Sequence, residues 1–141
     1  MTVSRPTKFE DLPDLVAVGI REFYEGYDAE VPHDILWRWT RISIRKLVEE
    51  VWSDPELKEE DASFEAYHLF YKRNFGPWPP KWTKSDPDSI YSIILTGPPG
   101  GPYDPEKGTI EDGWHRFHWY VDHWGPNKLI PVAWAVGRTR R

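Results

Sequence analysis

The sequence predicts a small α+β or α/β sandwich, a sheet with packed helices, and three observations carry that prediction. Residues 90–96, IYSIILT, and residues 129–136, LIPVAWAV, are apolar runs of strand length. Between them, Trp114, Phe117, Val121 and Trp124 recur at helical spacing and share one helix face. Two buried strands flanking a one-sided helix have to bury that face against the sheet, so the elements pack in layers.

The elements follow in order. Residues 1–13 read as extended chain with turns. Residues 14–26 read as a short helix: Asp14 is the candidate N-cap, Leu15, Val18 and Phe23 form a partial apolar stripe, and Gly26 can end it. Residues 34–52 carry two signals. Ile35, Trp39, Ile42 and Val48 suit a helix capped by Asp34. Residues 40–45, TRISIR, alternate with a period of two and are β-branched. The favoured reading is a strand over 40–45 and a helix over 46–53. Residues 63–73 read as a helix capped by Ser63, with Phe64, Tyr67, His68 and Tyr71 on one face. Residues 74–80, NFGPWPP, break regular structure, and residues 97–108, GPPGGPYDPEKG, are a loop by composition. Residues 109–111 read as a short strand, Asp112 as a candidate N-cap, and Gly125-Pro126 as the end of the following helix. The last third is thus strand, helix, strand.

Composition narrows the function classes. With 141 residues the chain reads as a single domain spanning 1–141. It has no Cys, which excludes disulfides, thiolate metal sites and a cysteine nucleophile. Lys and Arg total 18 against 23 Asp and Glu, a net charge of −5, which argues against a protein devoted to coating nucleic acid. No apolar run is long enough to span a bilayer, and the first residues lack a signal-peptide pattern. The expectation is a cytoplasmic protein. Nine Trp and 14 Pro, with a mean hydropathy of −0.68, imply an aromatic-heavy core cut by turns. Charge is patchy: acids cluster over 10–30 and 49–61, and bases over 38–46 (Arg38, Arg41, Arg45, Lys46) and 126–141. A basic face on an acidic chain is compatible with this pattern, as are ordinary solvated helix faces.

The chemistry concentrates in Glu111-Asp112-Gly113-Trp114-His115-Arg116. A glycine where a strand turns into a helix leaves backbone N–H groups pointing at one place, and the helix dipole adds partial positive charge. His115 and Arg116 add donors in the first turn, and a guanidinium can grip phosphate bidentately. An ordinary strand-to-helix turn with a surface arginine has the same residues.

Residues 90–136 resemble the core of the ParB/sulfiredoxin-like superfamily. There a strand ends in a D/A-G-x-H/R-R turn, a helix follows, and a Gly-containing turn leads to an IPV strand. This sequence has Asp112-Gly113-Trp114-His115-Arg116, then Gly125, then Ile130-Pro131-Val132. Residues 1–89 match only in outline. The resemblance implies nucleotide binding, ATP or CTP with Mg²⁺, with Gly113, Trp114, His115 and Arg116 as phosphate contacts and Glu111 and Asp112 carrying metal or base duty. Sulfiredoxin chemistry needs a cysteine where Trp114 stands, so cysteine-sulfinate reduction is excluded. Partition proteins add a helix-turn-helix and a dimerisation domain; five residues follow Val136 here, and the expectation is an isolated nucleotide-binding core of a mobile genetic element.

Three functional expectations follow. The first is a nucleotide-binding protein, with NTPase or phosphotransferase turnover left open, in which Arg116→Ala abolishes binding and leaves the fold intact. The second is a catalytically inactive phage or plasmid accessory protein that binds and regulates a host protein. The third is a DNA-binding protein or metal-dependent nuclease using the basic stretches, which the acidic net charge disfavours. Lys107 is a candidate lid residue on the 97–108 loop. No metal site is expected from His115, His118, Asp122 and His123, because His123 is rotated away from the others; His118 and His123 are expected to be exposed or partner-facing. Trp78, Lys81, Trp82 and Lys84 mix aromatics with cations, which suits a single strand or a peptide, but a loop held down by its Trp rings is favoured.

Overall fold

The computed structural model describes residues 2–53, 63–76, 91–100 and 109–139. These residues form an α+β fold with a five-stranded mixed sheet. The strands are β1 (Thr7–Lys8), β2 (Ile35–Ser43), β3 (Ile93–Leu95), β4 (Ile110–Asp112) and β5 (Leu129–Arg138); the helices are α1 (Asp14–Glu25), α2 (Ile44–Trp52), α3 (Phe64–Phe75) and α4 (Trp114–His123). The spatial order is β1-β2-β5-β3-β4. Only the β3–β5 pair is parallel.

The period of two along the strands sorts the core into two layers. Ile93, Leu95, Ile130, Val132 and Trp134 face one side, where Leu47 and Val51 of α2 and Phe117 and Tyr120 of α4 cover them. Ile94, Ala133 and Trp37 face the other, where Val16, Ala17 and Ile20 of α1 cover them. Gly19 lets α1 approach closely: a Cβ there would stand 2.2 Å from Ser92 Oγ and 2.3 Å from Ser92 O. Ser92 in turn donates from its N–H to Leu15 O and from its hydroxyl to Val16 O. This clasp fixes α1 against β3.

Local signals set most boundaries. Ser43 Oγ accepts from Lys46 N–H at 3.1 Å and Ser63 Oγ from Ala66 N–H at 3.1 Å, each cap contributing about 1 kcal/mol. The expected helix over 63–73 therefore stands as α3, which ends two residues later. The strand expected over 40–45 starts earlier, at Ile35, and gives way to α2 at Ile44, because Ser43 rather than a later residue caps the helix. At α1 the N-cap is Pro13, and Asp14 is the first helical residue. The strand expected over 90–96 keeps only Ile93–Leu95 among the described residues.

The last third is strand, helix, strand as expected, with β4, α4 and β5 in that order. β4 and β5 flank β3 rather than each other, and β4 runs antiparallel to β3 while β5 runs parallel to it. Helix α4 thus crosses over β3 and joins two antiparallel strands. Among the described residues no helix is long and apolar enough to cross a membrane.

Candidate functional site

The β4–α4 turn is built by one backbone feature. Gly113 has φ 104°, in the left-handed region, and a Cβ there would sit 3.4 Å from the Ile93 side chain. An L side chain at such a φ is strained, which explains a glycine between Asp112 and Trp114. Gly113, not the expected Asp112, is the N-cap of α4, and its carbonyl accepts from Phe117 N–H at 2.7 Å. No side chain caps this helix end.

All six residues singled out in the sequence, Glu111 to Arg116, line one pocket of about 420 Å³. Two residues that the sequence reading missed complete it: Glu22 from α1 and Tyr71 from α3. Neither sits near the motif in the chain, and no local pattern marks them. Glu22 arrives because the Gly19–Ser92 clasp brings α1 beside β3. Tyr71 arrives because α3 packs on α4.

Charge in the pocket is dominated by carboxylates. Glu22, Glu111 and Asp112 meet a single guanidinium, that of Arg116. Arg116 is buried; its Nη2 donates to Glu22 Oε2, and its guanidinium lies 4.7 Å from the Tyr91 ring centroid. It is therefore part of an internal ion pair as well as of the pocket wall. Burial raises the Asp112 carboxyl above its ordinary value; Arg116 opposes this and Glu22 adds to it. His115 is exposed at the mouth, with Nδ1 2.8 Å from the Tyr71 hydroxyl. Burial pushes Tyr71 up to about 12, so it remains a neutral phenol near neutrality.

Beneath the pocket wall lies a polar chain that also went unread. His68 Nε2 is 2.7 Å from Asp122 Oδ1, and His68 Nδ1 is 2.7 Å from His118 Nδ1. Lys72 Nζ stands 3.0 Å from Asp122 Oδ2. Asp122 can only accept, so His68 carries its proton on Nε2; a neutral His68 then accepts from His118 Nδ1–H. His118 Nε2 is buried without a hydrogen-bond partner among the described residues. Tyr71 stacks on the His118 ring at 3.9 Å. The expectation that His118 is exposed is overturned: it is fully buried between α3 and α4, because it follows Phe117 onto the side of α4 that α3 covers. His123 is exposed and stacks on Trp119.

Among the described residues, no three His, Asp or Glu side chains are grouped to hold a metal ion on their own. Lys107, and the Trp78, Lys81, Trp82 and Lys84 group, lie outside the described residues.

No family model, curated protein or solved structure matches this chain. The likeness to the ParB/sulfiredoxin-like superfamily therefore rests on the motif residues in the sequence alone.

Proposed function

We propose that the pocket at the start of α4 binds the phosphates of a nucleotide, ATP or CTP, together with Mg²⁺. One observation carries the reading: the six motif residues surround a single pocket at a glycine-capped helix start. Backbone N–H groups of the first turn suit phosphate oxygens. Mg²⁺ is held through one or two carboxylates plus substrate phosphates, not by a full protein cage. Glu111 and Asp112 fit that donor set, and an acidic pocket that would repel a bare triphosphate accommodates one carrying the cation. Where turnover occurs, a carboxylate accepts the proton of the attacking water or hydroxyl as the terminal phosphoryl group leaves the nucleoside diphosphate. Asp112, raised by burial, is suited to accept that proton. Nucleotide binding is what the superfamily resemblance implies; turnover is left open.

Thermal denaturation with ATP, CTP, ADP and GTP, each with and without Mg²⁺, tests the reading. A ligand at 100 times its dissociation constant stabilises by about 2.7 kcal/mol, which is several degrees in midpoint for a domain of this size. The expected result is a Mg²⁺-dependent shift for one nucleotide that Glu111→Gln reduces. Glu111 is exposed, so this variant keeps the fold. No shift with any nucleotide overturns the proposal.

The Arg116–Glu22 pair favours a second reading, an accessory protein that keeps the pocket and regulates a host partner without turnover. A guanidinium already neutralised by Glu22 has less charge to offer a transition state. Nucleotide binding without phosphate release, equal in wild type and Glu111→Gln, is its signature.

A further inference from the structure

Glu22 is the one acid of the pocket that does not belong to its turn. It comes from α1, a helix that otherwise covers the sheet, and it lines the same pocket as Glu111, Asp112 and Arg116. Its Oε2 accepts from Arg116 Nη2 across 94 residues of chain. The carboxylate thus occupies a donor of the guanidinium that a phosphate oxygen would take.

The two partners differ in how far each can move. The Arg116 side chain is 9% exposed, and its guanidinium lies 4.7 Å from the Tyr91 ring centroid. The Tyr91 backbone is held in turn by buried Tyr120, whose hydroxyl donates to Tyr91 O at 2.8 Å. The Glu22 side chain is 37% exposed. The backbone of α1 is fixed by the close approach of Gly19 to Ser92, one helical turn before Glu22. Exchange at Arg116 therefore needs no helix to move. The Glu22 side chain turns towards solvent, and the guanidinium stays.

We propose, resting on the nucleotide reading of the pocket, that Glu22 is its specificity-determining residue: it holds the anion position on Arg116 and admits phosphate only together with a divalent cation. A metal-free polyphosphate has to displace Glu22 and then lie among three carboxylates. A polyphosphate that carries Mg²⁺ leaves every charge with a partner, since a phosphate oxygen takes the guanidinium and the displaced carboxylate faces the cation. Simple anions such as sulfate are refused on the same ground.

The test is calorimetric titration of wild type, Glu22→Gln and Glu22→Asp with inorganic tripolyphosphate, ATP and CTP, each with Mg²⁺ or with EDTA. Both substitutions keep an acceptor for Arg116, so the pocket stays assembled. Glu22→Gln should bind the metal-free ligands at least about tenfold more tightly than wild type, with a much smaller change for the Mg²⁺ forms. Glu22→Asp keeps the charge and should keep the Mg²⁺ dependence of wild type. A merely structural role would weaken both forms together. Equal Mg²⁺ dependence in wild type and Glu22→Gln, or weaker metal-free binding in the variant, overturns the proposal; Mg²⁺-nucleotide binding by wild type then leaves the nucleotide reading standing. Tripolyphosphate bound in the expected pattern, with ATP and CTP bound by none of the three proteins, supports the role of Glu22 and overturns the nucleotide reading. Binding of no probe by any of the three overturns both.

Discussion

Arg116 is where residue-scale chemistry departs most from the expectation of a side chain free to grip phosphate. It is 9% exposed, and its partner Glu22 is 37% exposed. Removing one member of a fully buried pair costs about 3–5 kcal/mol, and the exposure of Glu22 lowers that to about 2 kcal/mol here. Arg116→Ala should therefore lower the urea midpoint measurably, rather than leave the fold intact. Glu22→Gln, which keeps a hydrogen-bonding oxygen beside the guanidinium, should cost less. Equal stability of Arg116→Ala and wild type in urea unfolding would show that the pair contributes nothing. A nucleotide-binding defect in Arg116→Ala has meaning only after this stability loss is measured. That is why the thermal-shift test relies on Glu111→Gln.

At the scale of elements, α1 places a pocket residue, and Gly19 sets how α1 lies. The contact with Ser92 involves a backbone oxygen, which cannot rotate away as a side chain would. Gly19→Ala should cost about 1–3 kcal/mol by overpacking, more than the gain in helix propensity returns. A Cβ at Gly125 meets nothing within 4 Å, so Gly125→Ala is the matched control. Chemical denaturation of the two variants checks the difference; equal midpoints would mean that α1 moves away from β3 freely. The same scale shows what the sequence could reveal. Ser63 was legible as a cap through its contact three residues on, and the apolar runs around Ile93 and Val132 announced buried strands; the Ser43 cap was hidden inside the alternating run over 40–45. The motif from Glu111 to Arg116 was legible because its pocket wall is contiguous in the chain. Glu22, Tyr71 and the His68–His118–Asp122 chain were not, since they meet only through helix docking. The order β5-β3-β4 was equally hidden: a strand three residues long carries too little pattern to say which neighbour it pairs with.

For the whole molecule, the consequence of the buried histidines is acid sensitivity. Burial, with His68 and His115 adding to it and Asp122 opposing, lowers His118 from the ordinary 6.5 to about 3. The unfolded chain therefore binds a proton near pH 6.5 that the folded chain refuses. Stability is fully present above that value and is lost as pH falls from 6.5 towards 3, at up to about 1.4 kcal/mol per pH unit. Urea midpoints measured between about pH 7.5 and pH 5 stay above the range where ordinary carboxylates titrate. They should fall across that interval in wild type and fall much less in His118→Phe. An identical decline in both proteins would remove His118 as the cause.

The sheet is tied together across most of the chain: β2 pairs with β5 along its whole length, and the ion pair of Asp34 with Arg138 closes a separation of 104 residues. A ribosome delivers β2 well before β5. Until β5 emerges, β2 has no partner on its inner edge and β3 has no parallel neighbour, so neither core layer can close. Arg116 is likewise synthesised long after Glu22, a separation of 94 residues. Native contacts of such high order are slow to form and leave strand edges exposed during synthesis. The nascent chain thus closes the core around its pocket only once β5 has been made.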